Sequence, residues 1–489
     1  MPDFTSRPPR IQPELPYGEV DIPNPPSEDI AGRQQMAQMF LPMVTIIGYV
    51  FVSAAGSGRS MLLLIPMGLS VVASTTMALW NFRITRKAER EKKRIYMQRL
   101  AQMRKDMVAS QDLQRRYYLY NYPGPDPVLK IAGDRQNRNS GLRLWERRTT
   151  DSDFGAIRLG IGTRHSTMIY KVSSMSGNEE THELQEALKL YQDSLYVSDV
   201  PITIPLRSYI KPQGTAIGSI TKEKTPSPAD ESIEARFALG IAGKAPAKTY
   251  DFIRSILAHY TVFHAPTDAR LYVVGAPAAR PQWDWARWLP HCNTSRQQGT
   301  GDLLCFDADK VRRFWDELQT ELERRQLRLA DKDNQTDPTL PHLLVVVDGL
   351  TAQGEDSPLN AVQAEAAVSL LLQRGTDLGT TIIFLVPERS MVPSECQAII
   401  EIEPVEEGVA FRYAEVGINT PRYVGEADQL ITTRAETEFA RRLAPLAVRT
   451  TYGADLATAV TLIEMLAANT VEEIPILSQW EKTRKPENS

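Results

Sequence analysis

The chain has three cysteines in 489 residues, Cys292, Cys305 and Cys396, and no CxxC pair. That excludes a disulfide framework and points to a reducing compartment. Its six histidines are scattered, with no pair at metal-ligand spacing, so no metal site is expected. A net charge of -4 gives no overall basic footprint for nucleic acid. Apolar residues make up 42% and charged residues 24%, near globular averages, so most of the chain should fold, as two to four domains.

Charge itself is missing from two long stretches. No residue between Arg33 and Arg59 is charged, and none between Arg59 and Arg83. Each apolar heart runs to about 20 residues, the length that crosses ~30 Å of hydrocarbon as a helix. A tight turn at Arg59 makes the pair a two-helix transmembrane hairpin over 36–82. Arg83, Arg86, Lys87, Arg90, Lys92, Lys93 and Arg94 follow at once. The positive-inside rule therefore puts both chain ends in the cytoplasm, at the plasma (inner) membrane. The proline-rich residues 1–35 read as a cytoplasmic tail that orders only against a partner.

Glycine and proline are absent from Ile84 to Tyr118. Tyr96, Leu100, Met103 and Met107 recur at 4-3-4 spacing, one stripe of a long helix. We expect a basic helical stalk over 83–120, packed along that stripe or lying on anionic headgroups. A middle α+β region (121–230) follows, with strands at "DFGAIRLGIG" and "YVSDVPITIP" and a helix at "HELQEALKLYQDS". Nothing in it has catalytic spacing.

From 231 to 450 strands and helices alternate. Strands are expected at "ARFALGIAG", "ARLYVVGA", "HLLVVVDGL" and "TTIIFLVP". Helices are expected at "TYDFIRSILAHYTVF", "DADKVRRFWDELQTELERRQLRLA" and "LNAVQAEAAVSLLLQRGTDLG". Near-continuous apolar strands between helices mean an α/β parallel sheet with crossovers. A C-terminal helix and tail would occupy 451–489.

The first of these strands runs into "GIAGKAPAKTYDF", where a phosphate-binding loop belongs. Overlaid on GxxxxGK[ST], the stretch ends on Lys248-Thr249 but has Ala242 and Ala247 at the glycine positions. Gly243 is one place out of register, and Pro246 removes a backbone donor. A cation and a hydroxyl survive, while most of the N–H cradle is lost. Asp348 ends an apolar strand as a Mg²⁺-side carboxylate does, but Gly349 follows where a catalytic Glu is usual. Glu355 or another distant acid would have to act as base. Gly243, Lys248, Thr249 and Asp348 thus form at most a weak ATP/Mg²⁺ site, with no catalytic residue. The aromatic run Trp283, Trp285 and Trp288 reads as core and interface packing.

With those pieces placed, the chain resembles the FtsK/SpoIIIE-type ATPases of type VII secretion systems, the EccC/EssC family. The resemblance is carried by the hairpin, the stalk, "LWERR", "IRLGIG", "VRTTYGADL" and above all "FHAPTDARLYVVG" with "WDWARWLPH". It covers nearly the whole chain and matches the family's N-terminal part, including a degenerate, P-loop-NTPase-like domain. The chain ends about where the first of the family's motor domains would begin. The resemblance implies other type VII membrane components as partners, motor domains or a motor chain downstream, and homo-oligomerisation within the complex. Small WXG-type proteins would be the secreted cargo, met indirectly. A scaffold that does not hydrolyse ATP is the leading expectation. A nucleotide sensor and an active membrane-bound ATPase are the alternatives.

Overall fold

The computed structural model describes residues 3–5, 7, 10–26, 64–134, 143–172, 181–207, 237–294, 299–330, 340–351, 359, 365–375, 378–416 and 422–448. In chain order the first elements are β1 (Asp3–Thr5), β2 (Gly18–Ile22), α1 (Leu64–Asn121), α2 (Pro125–Gly133), β3 (Ala156–His165) and β4 (Met168–Val172). Then come α3 (His182–Ser194), β5 (Tyr196–Pro205), β6 (Ala238–Gly243), α4 (Pro246–Phe263), β7 (Ala269–Gly275), β8 (Leu304–Cys305) and α5 (Ala308–Ala330). The last are β9 (His342–Asp348), α6 (Ala366–Arg374), β10 (Thr380–Val386), β11 (Ala398–Val405), β12 (Gly408–Glu415), β13 (Tyr423–Ala427) and β14 (Leu446–Val448). The chain divides into two units, one of residues 1–15, 114–165 and 197–489, the other of 16–113 and 166–196.

The larger unit is built on a ten-stranded sheet, ordered β5-β3-β13-β12-β11-β6-β10-β9-β7-β8. β11, β6, β10, β9, β7 and β8 are parallel neighbours, as the α/β pattern requires. β12 and β13 extend the sheet antiparallel, and β13 pairs antiparallel with β3. Successive side chains of a strand point to opposite faces. In β9, Leu344 and Val346 therefore join a core with α4, while Leu343, Val345 and Val347 join another with α5 and α6. Every residue of α4 from Thr249 to Phe263 except Asp251 is buried. A helix buried on every face belongs inside a domain, and this one, which also buries Arg254 and His259, is its central rod.

In the smaller unit, Tyr96, Leu100 and Met107 of α1 are buried, with Met103 packed beside them. Their cover is Ile22, Tyr170, Ala187 and Leu190, from β2, β4 and α3. The stripe is thus a packed stalk seam whose partner is the chain itself. β2 and β4 pair in parallel, and Thr181 caps α3 by accepting from Leu184 N at 3.3 Å.

Three expectations differ. Residues 3–26 are not a free tail: β1 pairs in parallel with β14, and β2 with β4. The expected boundary at 230/231 is not one either, because β3 and β5 lie in the same sheet as β6–β13. Pairing is set by distant partners, so local composition did not mark it. The strands from Ala398 to Ala427 were not foreseen as an antiparallel extension. The helix expected over 359–379 is described over Ala366–Arg374. Among the described residues no helix is long and apolar enough to cross a membrane. The first apolar stretch lies outside them, the second is described only from Leu64, and 451–489 also lies outside.

Candidate functional site: a phosphate-loop position closed by side chains

Strand β6 ends at Gly243 and helix α4 begins at Pro246, so two residues, Lys244 and Ala245, make the turn. A phosphate nest needs several backbone N–H groups turned inward from an extended loop. Here the N–H groups of Lys248 and Thr249 both go to the Ala245 carbonyl, at 3.0 and 3.1 Å. Gly243 does not adopt positive φ. It sits opposite Ile402 of β11, and a Cβ there would overlap the Thr249 hydroxyl. Its glycine therefore makes room for a side chain, not for a phosphate. Thr249 is buried and its hydroxyl donates to Ala245 O at 3.2 Å. Lys248 is solvent-exposed.

Asp348 ends β9, separated from β6 by β10. It is fully buried. Oδ2 accepts from Tyr250 Oη and from Trp283 Nε1, both at 2.7 Å, and Oδ1 accepts from Leu350 N at 2.9 Å. Burial raises its pKa, and the bonds from Trp283, Leu350 and Tyr250 oppose that rise. Both oxygens are committed to protein donors. What α4 brings to this carboxylate is Tyr250, two residues past the expected lysine. Gly349 is packed too: a Cβ there would meet Leu359 Cδ1 at 2.5 Å and the Leu385 carbonyl at 3.0 Å. Glu355 lies outside the described residues.

Trp283 and Trp285 are buried and stacked, with centroids 6.4 Å apart. Trp285 also meets Phe439, at 6.2 Å. Trp283 and Trp285 are core packing, and Trp288 is partly buried against the same core. The sequence did not reveal that Trp283 would close over Asp348. Beside Trp283 lies a cavity of about 80 Å³, whose lining includes Arg280, Asp284, Arg287 and Lys310. Ligand pockets run to ~300–1,000 Å³. With a two-residue turn and Asp348 already bonded by Tyr250, Trp283 and Leu350, the expected set Gly243, Lys248, Thr249 and Asp348 does not fit a Mg²⁺–nucleotide. Among the described residues, no three His, Cys, Asp or Glu side chains are grouped to hold a metal.

The other end of α4 is equally closed. Its last four carbonyls have no partner inside the helix, yet all are used. Tyr260 O accepts from His264 N at 3.1 Å and faces His264 Nδ1 at 2.7 Å; Thr261 O accepts from Trp145 Nε1 at 3.1 Å. Val262 O accepts from Trp145 N at 2.8 Å, and Phe263 O from Arg147 N at 3.0 Å. Trp145 reaches them with φ at 58°, a strained conformation for a bulky residue. Arg7 locks the cap, donating from Nε to Trp145 O and from a terminal nitrogen to Arg147 O, both at 2.8 Å. Arg10 pairs with Asp153 at 2.8 Å, and fully buried Arg147 pairs with Asp153 at 3.2 Å. Burial disfavours the Asp153 carboxylate, but Arg147 and Arg10 outweigh it and hold its pKa at about 2. His264 accepts from Gly155 N through Nε2, so Nδ1 carries its proton to Tyr260 O. Burial, then Arg147, holds His264 neutral, well below the usual range.

No family model matches the sequence. Two curated relatives are similar over most of the chain. An ESX secretion system protein EccC from Geobacillus thermodenitrificans is 21% identical over 477 residues, covering 97% of this chain and 29% of that protein. An EccC from Thermomonospora curvata is 24% identical over 455 residues, 89% of this chain and 30% of that protein. The chain thus spans under a third of their length. Among solved structures, the cytoplasmic domain of the Thermomonospora curvata type VII secretion ATPase EccC is similar at 12% identity. Its TM-score is 0.36, over 62% of this chain and 32% of that one. The chain is thus similar, over most of its own length, to EccC proteins of ESX (type VII) secretion systems.

Proposed function

We propose that the chain is a membrane-anchored structural part of a type VII protein secretion complex, and that its P-loop-like domain does not itself hydrolyse ATP. The observation that carries this reading is Asp348: a buried carboxylate whose oxygens are already bonded to Tyr250, Trp283 and Leu350. A metal-side carboxylate must keep an oxygen open to Mg²⁺ or its waters. The two-residue turn and the packed Gly349 point the same way. The anchor would be the hairpin over 36–82, at the plasma (inner) membrane, with both chain ends cytoplasmic. Two charge-free stretches support it. So do Val72, Met77, Leu79 and Trp80, large apolar side chains exposed on the first described turns of α1.

In this reading the neighbours are other type VII membrane components, further copies of the chain, and motor domains or a motor chain that turns over ATP. WXG-type secreted proteins would be met through that motor. One observation favours a nucleotide-sensing role instead: Lys248 stands exposed on the first turn of α4, free to meet an anion. An active ATPase would further need a base such as Glu355. Phosphate release from Mg-ATP by the purified full chain, against a Lys248→Ala variant, tests the proposal. No Lys248-dependent release is expected; measurable Lys248-dependent turnover would overturn it.

A further inference from the structure

If the first turns of α1 lie in a bilayer, the residues just beyond them face its headgroups. On α1, Val72, Thr76, Leu79, Arg83, Arg86 and Arg90 recur at 4-3-4-3-4 spacing, so they share one face, with Lys87 beside Arg83. The face turns from apolar to basic at Arg83. At ~1.5 Å per residue the four cations lie about 5 to 15 Å past Trp80 along the axis. That is the depth of a headgroup layer and the first Debye length beyond it.

All four are solvent-exposed. Among the described residues none has a carboxylate within 4.0 Å, whereas cations further along the same helix do. Lys93 pairs with Glu183 at 3.4 Å, and Arg104 with Glu186 at 3.7 Å and Asp193 at 3.8 Å. The unit thus supplies carboxylates to the stalk farther from Trp80, while on the nearer turns Lys87 interacts electrostatically with Glu91 of its own helix without forming a close ion pair. Like charges at i, i+3, i+4 and i+7 repel one another; Glu89 and Glu91 of the same helix relieve part of this, and an outside anion would relieve more. Guanidinium groups match phosphate oxygens in a two-point geometry.

We propose that Arg83, Arg86, Lys87 and Arg90 form a binding stripe for anionic phospholipid headgroups. Through it, α1 would gather phosphatidylglycerol-type lipid around the anchor. The proposal rests on the membrane reading above, and the test separates the two.

The full chain is reconstituted in vesicles of equal parts phosphatidylcholine and phosphatidylglycerol, with one or the other brominated. Quenching of Trp80 fluorescence is then read, with a Trp80→Phe chain as background. Brominated phosphatidylglycerol should quench Trp80 about twofold more than brominated phosphatidylcholine at low salt. That ratio should fall towards one in ~0.5 M salt, where screening is short. It should also fall to one when all four cations are replaced by Gln, a substitution that keeps helix propensity. Equal quenching by both lipids in the unaltered chain would overturn the stripe and leave the anchor standing. So would a preference that survives the Gln variant. No quenching by either lipid would overturn both.

Discussion

Asp348 decides the chemistry of the site by what it touches. Its carboxylate accepts from a phenol, an indole and a backbone N–H inside the core. Removing it leaves three buried donors orphaned, each costing ~1–3 kcal/mol. We expect Asp348→Ala to lower unfolding stability by about 3 kcal/mol or more in urea, and Lys248→Ala, exposed, to change it by under ~0.5 kcal/mol. A working Mg²⁺ site would show the reverse order of importance for nucleotide binding. Asp153 gives a pH signature. Its pKa falls from the usual 3.8 to about 2 on folding, so its ionised form stabilises the fold above pH ~4. That contribution is lost as pH drops from about 4 to 2. At ~1.4 kcal/mol per unit it amounts to about 2 kcal/mol. Urea midpoints should therefore fall more between pH 5 and pH 2.5 in the unaltered chain than in Asp153→Asn. Equal slopes would mean that the Arg10–Asp153–Arg147 contact is weak. None of these partners was visible in the sequence: Tyr250 and Trp283 lie 98 and 65 residues from Asp348.

At the scale of elements, strand, turn and helix were legible because each carries its own period or cap. β6, β7, β9, β10 and α4 lie close to where alternation and helical spacing put them. What was not legible is tightness. The sequence shows Ala242, Ala247 and Pro246 in place of loop residues, but only the structure shows that two residues turn the chain. Nor does the missing Glu at 349 leave a vacancy that one substitution would fill. Gly349→Glu would drive a Cβ against Leu359 and the Leu385 carbonyl, overpacking that costs ~1–3 kcal/mol before the new carboxylate is buried. We expect the variant to be destabilised, read as a lower unfolding midpoint, and to gain no ATP turnover. At the far end of α4, "LWERR" is marked in the sequence only by the family resemblance. It is a helix cap, and Arg7, from residues expected to form a loose tail, completes it.

For the whole molecule, the parallel sheet and the stalk helix followed from periodicity, whereas the grouping of segments into two units did not. Residues 1–15 join one unit and 16–113 the other, a division made by contacts over more than a hundred residues. The functional reading turns on the closed site at Asp348. The most direct measurement is calorimetric titration of Mg-ATP into the purified full chain, beside its Lys248→Ala variant. The expected result is no binding heat up to millimolar nucleotide, for both chains alike. Lys248-dependent binding with Kd below ~100 µM, about -5.5 kcal/mol, would contradict a closed site and make the domain a nucleotide sensor.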